Sequence, residues 1–546
     1  MGFKYLLCFF YVIAILPSKS LTCFSQSATF TNPIIPGAYP DPSICRVGDD
    51  YYLSNSSFEY FPGLPIWHSK DLVHWEHASF GIHRKNQFKF EGLASSAGAW
   101  ASSISHHNGV FYLPFTWVDW RMKVGFKNVI LTATDPAGPW SDPSIITDTI
   151  WGIDPSLFFD EDGKAYWLMN HPAVGFSHPG ASSIMIQEID LKTMKLVGNP
   201  SFIGRGAMLS SQYPEGPKLF KKDNFYYLVI AEGGTGQFHA VTISRSKNIL
   251  GPYESYEGNP ILTHRSLAYT HPFINIGHAD FVQAAKDEWW MVCLGSRPLG
   301  AKDNILGRET FLVPVKWDKG EWPVISPGYG QVRQVEKIPN LKNHQVASIP
   351  TRDDFDSTRL SYVWTFIRTP NANLYSLLEK KGSIKINLLP TQLNKVESPG
   401  FIGQRLRFRN GEMTTKATFK SKSKNEEAGM VIYKSEKAFV KFVLNNKQIK
   451  IVQQKDSLET TLYTAPLLST TSEFKVIQRE NKFTFSYRPE GGSWTTVLDS
   501  YDGRIFSVEQ SGGFMGTFVG VYGSSQGAPS KNSVTFDYFE YKPLED

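Results

Sequence analysis

Three acids in this chain stand against proline: Asp41 in Tyr39-Pro40-Asp41-Pro42-Ser43, Asp154 in Ile153-Asp154-Pro155-Ser156 and Glu215 in Pro214-Glu215-Gly216-Pro217. Proline locks its own φ and restricts the residue before it, so Pro40 and Pro42 leave Asp41 little freedom and predict extended backbone there. One isolated copy has a plainer reading, a turn whose carboxylate bonds neighbouring amides. Three acids gathered in one place would do more. They repel unless protons or cations relieve them, and hydrolysis of a glycosidic bond uses that tension, with one carboxylate ionised and one carboxyl protonated. A third acid beside the proton donor raises its pKa and holds its rotamer. Metal binding is the rival, since Asp, Glu and His with waters hold Ca²⁺. Acids that arrive singly from distant parts of the chain lack the dense loop such a site prefers.

Residues more than fifty positions apart meet only if the fold brings them together, and a repeat supplies the means. A turn pair followed by two aromatics and an aliphatic residue recurs: Asp49-Asp50 before Tyr51-Tyr52-Leu53, Asn108-Gly109 before Phe111-Tyr112-Leu113, Asp162-Gly163 before Tyr166-Trp167-Leu168, Asp223-Asn224 before Tyr226-Tyr227-Leu228, and Lys286-Asp287 before Trp289-Trp290-Met291. Each of these five copies, about sixty residues apart, predicts a hairpin with further strands behind it, four strands in all. Such blades packed radially form a β-propeller, which buries both faces of every sheet and uses the high aromatic content, 14% of the chain. A row of unrelated hairpins is the alternative. About 10–12 residues before the aromatic pairs stand Asp41, Trp100-Ala101-Ser102, Asp154, Glu215 and His278. Asp41, Asp154, Glu215 and His278 thus hold equivalent places in four blades and converge on the mouth of a central channel.

The rest of the 546 residues divides accordingly. Residues 1–27 predict an export signal: a basic Lys4, an apolar run from Tyr5 to Leu16, then polar residues with cleavage after Ser27. That run is shorter than the roughly 20 residues a membrane span needs, so the mature chain is expected free of transmembrane spans, in the periplasm or outside the cell. A lipid on Cys23 is disfavoured by the approach Ser20-Leu21-Thr22. Residues 28–330 make the propeller and 331–350 a polar linker without periodicity. Residues 351–546 alternate in segments such as Phe439-Val440-Lys441-Phe442-Val443, which predicts a β-sandwich. The fold class is all-β, with no long helix. Beyond the signal only Cys45 and Cys293 remain, too few for a disulfide framework and without zinc spacing. The formal net charge of +5, two units of it from Lys4 and Lys19, is too small and dispersed to bind nucleic acid.

The motifs "YPDPS", "SSFEYFPGLPIWHSKDLVHW", "GIDPSLF", "PEGP", "GHAD" and "SRP", in this order and spacing, resemble glycoside hydrolase family 43, a group of five-bladed propellers that includes β-xylosidases and α-L-arabinofuranosidases. The "RDDFDS" and "GTFVGVYGSS" stretches are similar to the concanavalin-like sandwich of its larger β-xylosidase members. The resemblance implies an exo-acting, inverting enzyme that releases terminal β-D-xylose or α-L-arabinofuranose from plant hemicellulose, of the xylan or arabinan kind. It implies Asp41 as general base, Glu215 as general acid and Asp154 as modulator and orienter of the acid. It implies Arg297 on the sugar hydroxyls, with a surface ion pair as the plainer reading, and His278 in the channel holding water or a metal, against a core histidine. Phe58 and Trp100 would line the pocket, unless they only pack, and Phe514 would reach in from the sandwich. No cofactor is required; a structural Ca²⁺ stays open. Where the family often has Ala-Pro-Asp after its tryptophan, this chain has Ala101-Ser102-Ser103, which leaves the sugar undecided. A carbohydrate-binding propeller without turnover is the alternative from another class.

Overall fold

The computed structural model of the protein describes residues 1–2, 28–149, 152–268, 270–284, 288–300 and 302–545. The expected export segment, apart from Met1 and Gly2, and the turn pair Lys286-Asp287 lie outside them.

Each repeat folds into an antiparallel sheet. The first blade runs Ser43–Val47, Asp50–Ser54, Gly63–Ser69 and Glu76–Ile82 from axis to rim. The third starts at Ser156–Phe159, the fourth at Glu215–Lys222 and the fifth at Ile274–Gln283. The second has its inner edge split between Gly98–Trp100 and Ser105–His107, both paired with Val110–Val118. That aromatic strand is buried at nearly every position, as a sheet covered on both faces requires.

Neighbouring blades share apolar clusters all the way round. Leu64 and Ile66 of the first blade pack with Leu113 and Leu131 of the second, and Tyr112 and Ile130 with Trp167 and Met185 of the third. Leu168 and Ile184 meet Leu219 and Leu228 of the fourth, Tyr227 and Ile243 meet Phe281 and Met291 of the fifth, and Trp290 and Val292 return to Tyr51 and Trp67 of the first. The ring closes at five. With about 1.5–3 kcal/mol from each fully buried large side chain, these seams hold the inner strand entrances at fixed positions around the axis.

Part of the stretch expected to be a strandless linker is a strand. Val335–Lys337 pairs with the N-terminal Thr29–Thr31, and Asn32 follows by exchanging side-chain bonds of 2.9 Å with the backbone of Leu312 in the fifth blade. Three residues are too few for an alternating pattern to be read.

The C-terminal region forms two eight-stranded sheets, and one of them ends on Tyr60–Phe61 from the first blade, paired with Thr365–Ile367. The two regions therefore share a sheet. Arg368, fully buried, donates to Leu93 O at 2.6 Å and Glu397 O at 2.7 Å and pairs with Glu436. Arg405 donates to Ala38 O at 2.9 Å. Among the described residues helix is confined to one short turn, Val508–Ser511, beside a 3₁₀ turn at Gly503–Phe506, and no helix is long and apolar enough to cross a membrane.

Candidate active site

The backbone at the first acid is not extended. Asp41 has φ 55° and Asp154 φ 58°, left-handed values that a short polar side chain tolerates better than most. The expectation from Pro42 is corrected: the following proline disfavours the right-handed helical region but did not settle which other region the ring of blades would select. The same conformation in both Asp-Pro-Ser copies aims both carboxylates at the axis. His278 (φ 45°) lies within a register shift, between Gly277 and Ala279, in the fifth blade's inner strand, and such bulges re-aim side chains. Backbone strain of this kind gathers where geometry is over-determined by the surrounding structure.

Asp41, Asp154 and Glu215 line one pocket with Phe58, Trp100, Ala101, Ile153, Thr235, His278, Arg308 and Phe514. Asp41 Oδ2 accepts from Ser56 Oγ at 2.5 Å and Oδ1 from Arg308 Nη1 at 3.0 Å. Ser56 Oγ is itself held by the Ala101 N–H at 2.6 Å. Burial pushes the Asp41 carboxyl up, but the Arg308 guanidinium foremost, then the neighbouring His278 and the Ser56 hydroxyl, with His239 adding to them, leave Asp41 below the ordinary carboxylate range. Asp41 is held ionised.

The other two acids go the opposite way. Glu215, at the head of strand Glu215–Lys222, is raised well above the usual value by burial and by the charges of Asp154 and Asp41. Asp154 is raised to about 7 by burial and the Asp41 charge, with Lys218 and a hydrogen bond from the Gly216 N–H working against the rise. That bond, Gly216 N to Asp154 Oδ2 at 3.0 Å, ties the third blade's acid to the residue after Glu215. Among the described residues no such donor reaches the Glu215 carboxyl, so of the two acids it is the one that keeps the proton. Gly216 has φ +61°, and a Cβ there would come within 3.2 Å of the His278 ring. The ring itself stays neutral, lowered to about 4 chiefly by burial, with Nδ1 3.8 Å from Asp41.

The walls are aromatic. Phe58, Trp100 and Phe514 stand with ring centroids 5.2–5.9 Å apart. Ser96 holds two of them, accepting from Trp100 Nε1 on its carbonyl at 2.8 Å and from the Phe514 N–H on its hydroxyl at 2.9 Å. Phe514 belongs to the sandwich, so the second region completes the pocket. Beyond Thr235, Arg308 and Phe514, which both share, lies a larger cavity of about 340 Å³ reaching Gln237, Leu267 and Val508.

Arg297 does not face this pocket. Its guanidinium makes a two-pronged pair with buried Glu309 at 2.6 and 2.7 Å and donates to Arg407 O of the sandwich at 2.7 Å, so the expectation that it bonds sugar is corrected. The pocket's guanidinium is Arg308, which pairs in register with Ser296, the residue before Arg297. One step across a hairpin separates the structural arginine from the one that lines the pocket. Sequence reasoning missed Arg308 and Thr235, because nothing in their own neighbourhoods marks them, and passed over Ser56 although it opens the quoted Ser-Ser-Phe-Glu stretch.

The surroundings of His278 mix acidic and basic groups. Its Nδ1 faces Asp41, the adjacent buried cation is Lys218, and among the described residues no group of three or more His, Cys, Asp and Glu is placed to hold one.

The family model for glycosyl hydrolases family 43 matches residues 30–323, and that for the β-xylosidase C-terminal concanavalin A-like domain matches residues 352–542. A non-reducing end α-L-arabinofuranosidase, BoGH43B of Bacteroides ovatus, is 39% identical over 95% of this chain and 95% of its own. A xylosidase/arabinosidase of Butyrivibrio fibrisolvens is 38% identical over 93% of this chain and 98% of its own. The crystal structure of the GH43 BlXynB protein from Bacillus licheniformis superposes with a TM-score of 0.88 at 34% identity, covering 95% of this chain and all of that one.

Proposed function

The chain belongs to glycosyl hydrolases family 43, and from that premise we propose that it works by single displacement, with Asp41 as base, Glu215 as acid and Asp154 as the group that orients and tunes Glu215. It is an exo-acting glycosidase. The substrates assigned are terminal α-L-arabinofuranose and β-D-xylose on hemicellulose-derived glycans, supported by relatives named for both sugars. One observation carries the mechanism: an acid held below its usual range and an acid held well above it line the same pocket. A sugar binder without turnover has no use for that division.

A water between Asp41 and the anomeric carbon gives its proton to the Asp41 carboxylate as its oxygen bonds to the carbon. The bond from that carbon to the leaving oxygen breaks, and the leaving oxygen takes the Glu215 proton. The configuration inverts. Asp41 ends protonated and Glu215 ionised, and exchange with solvent resets both. Arg308 and His278 face the sugar hydroxyls, and the Phe58, Trp100 and Phe514 rings exclude water from the ring of the sugar. The apolar N-terminal run supports export, which fractionation of cells carrying a tagged chain would test.

Asp41→Ala lowers kcat/KM on nitrophenyl α-L-arabinofuranoside and β-D-xyloside by about 10²–10⁴-fold. Glu215→Ala loses more on a disaccharide, whose leaving oxygen needs a proton, than on the aryl glycosides, whose leaving group departs as an anion. Wild-type rates in either variant would end the assignment.

A further inference from the structure

Below the acids the inner strands meet in a chain of polar side chains that the reaction does not use. Lys218, three residues after Glu215 on the same strand, is buried, and its ammonium donates to Ser103 Oγ at 2.7 Å. Ser103 Oγ is 3.3 Å from Ser43 Oγ, which donates to Asp280 Oδ2 at 2.7 Å; the Ile44 N–H donates to the same oxygen at 3.1 Å. These residues come from the fourth, second, first and fifth blades. With Asp154 from the third, every blade contributes to the axis.

The charges on this axis are unequal. Asp41, Asp154, Glu215 and Asp280 approach it, against Arg308 at the pocket side and Lys218 underneath. Among the described residues the hydrogen-bond partner of the Lys218 ammonium is the neutral Ser103 hydroxyl. Its charge is therefore not spent on one close partner. Burial disfavours the ammonium and holds it below the ordinary lysine range, while Asp280, Asp154 and Asp41, in that order, favour it. Of the groups facing it, Asp280 and His278 come from the fifth blade, Asp154 from the third and Asp41 from the first, while the second blade offers Ser103. The same ammonium opposes the upward push of burial on both Asp280 and Asp154.

We propose that Lys218 is a positioning residue for the acid pair: its ammonium is the fixed cation of the propeller axis, and it keeps Asp154 ionised so that Glu215 retains the catalytic proton. This rests on the roles assigned above to Asp41, Asp154 and Glu215. Lys218 touches no reacting atom and acts through Asp154 and Asp41.

The sign of the effect is specific. Without the cation Asp41 ionises at higher pH, so the acidic limb of the kcat/KM profile moves up. Asp154 also holds a proton to higher pH, which removes the negative charge beside Glu215, lowers the Glu215 pKa and moves the alkaline limb down. The bell narrows from both sides. Lys218→Met is expected to move each limb inward by about one pH unit, and Lys218→Arg to restore both. Ser103→Asp keeps Lys218 but gives its charge a close partner, and is expected to narrow the bell in the same way even if Lys218→Met does not fold. Profiles on nitrophenyl α-L-arabinofuranoside, with thermal midpoints, decide it. Limbs that stay in place in Lys218→Met or in Ser103→Asp, whatever happens to the maximal rate or the midpoint, overturn the proposal and leave Lys218 a packing residue. Asp41→Ala and Glu215→Ala, run alongside, separate the cases: if they are inactive while the limbs stay fixed, only the role of Lys218 fails, and if they are active the underlying assignment fails.

Discussion

At the scale of single residues, the site depends on how each carboxyl is solvated by protein. Asp41 is ionised because Arg308 and Ser56 replace the water it lost. Removing the Ser56 hydroxyl takes away a donor that stabilises only the ionised form, so Ser56→Ala raises the Asp41 pKa and shifts the acidic limb of kcat/KM to higher pH, by up to about one unit. The alkaline limb, which belongs to Glu215, is expected to stay, and a pH series on an aryl glycoside checks both. Arg297 and Arg308 make the complementary point. Both are arginines in the fifth blade, yet Glu309 captures one in a two-pronged pair and Asp41 the other. Their local sequences do not say which acid lies opposite.

At the scale of elements, the strand entrances do the aiming. The head of Glu215–Lys222 has a register shift after Glu215, Gly216 in a left-handed conformation, and the His278 ring against it. Gly216→Ala brings a Cβ into both constraints. Strain of about 1–2 kcal/mol is expected from the conformation alone, together with displacement of His278 and of the Gly216 N–H that holds Asp154. A fall in kcat much larger than the modest drop in thermal midpoint would mark this as an effect on geometry; equal loss of folding and activity would count against it. The five hairpins were legible because their turn pairs and aromatic runs are local signals. The strand Val335–Lys337 was not, since its partner lies some three hundred residues away and its three residues have no period of their own.

At the scale of the whole molecule, the sandwich completes the pocket of the three acids. It shares a sheet with the first blade through Tyr60–Phe61 and sends Phe514 against Phe58 and Trp100. Phe514→Ala removes one wall of the pocket without touching an acid. It is expected to raise KM and lower kcat/KM by about tenfold, some 1.4 kcal/mol of lost sugar contact, with the pH limbs unmoved and the thermal midpoint nearly unchanged. Steady-state kinetics and a melting curve test this, and an unaltered KM would place Phe514 outside the bound sugar's reach.

The sequence by itself determined the number of blades, the β-sandwich and the three acids of the pocket, because hairpin turns, alternation and proline-flanked acids are written within a few consecutive residues. Only the tertiary structure decided the left-handed backbone that aims Asp41 and Asp154, the choice of Arg308 over Arg297, and the partners that set the charge of each carboxyl. Those outcomes depend on burial and on partners from other blades, and a desolvated charge responds to its nearest neighbours in space, whatever their distance along the chain.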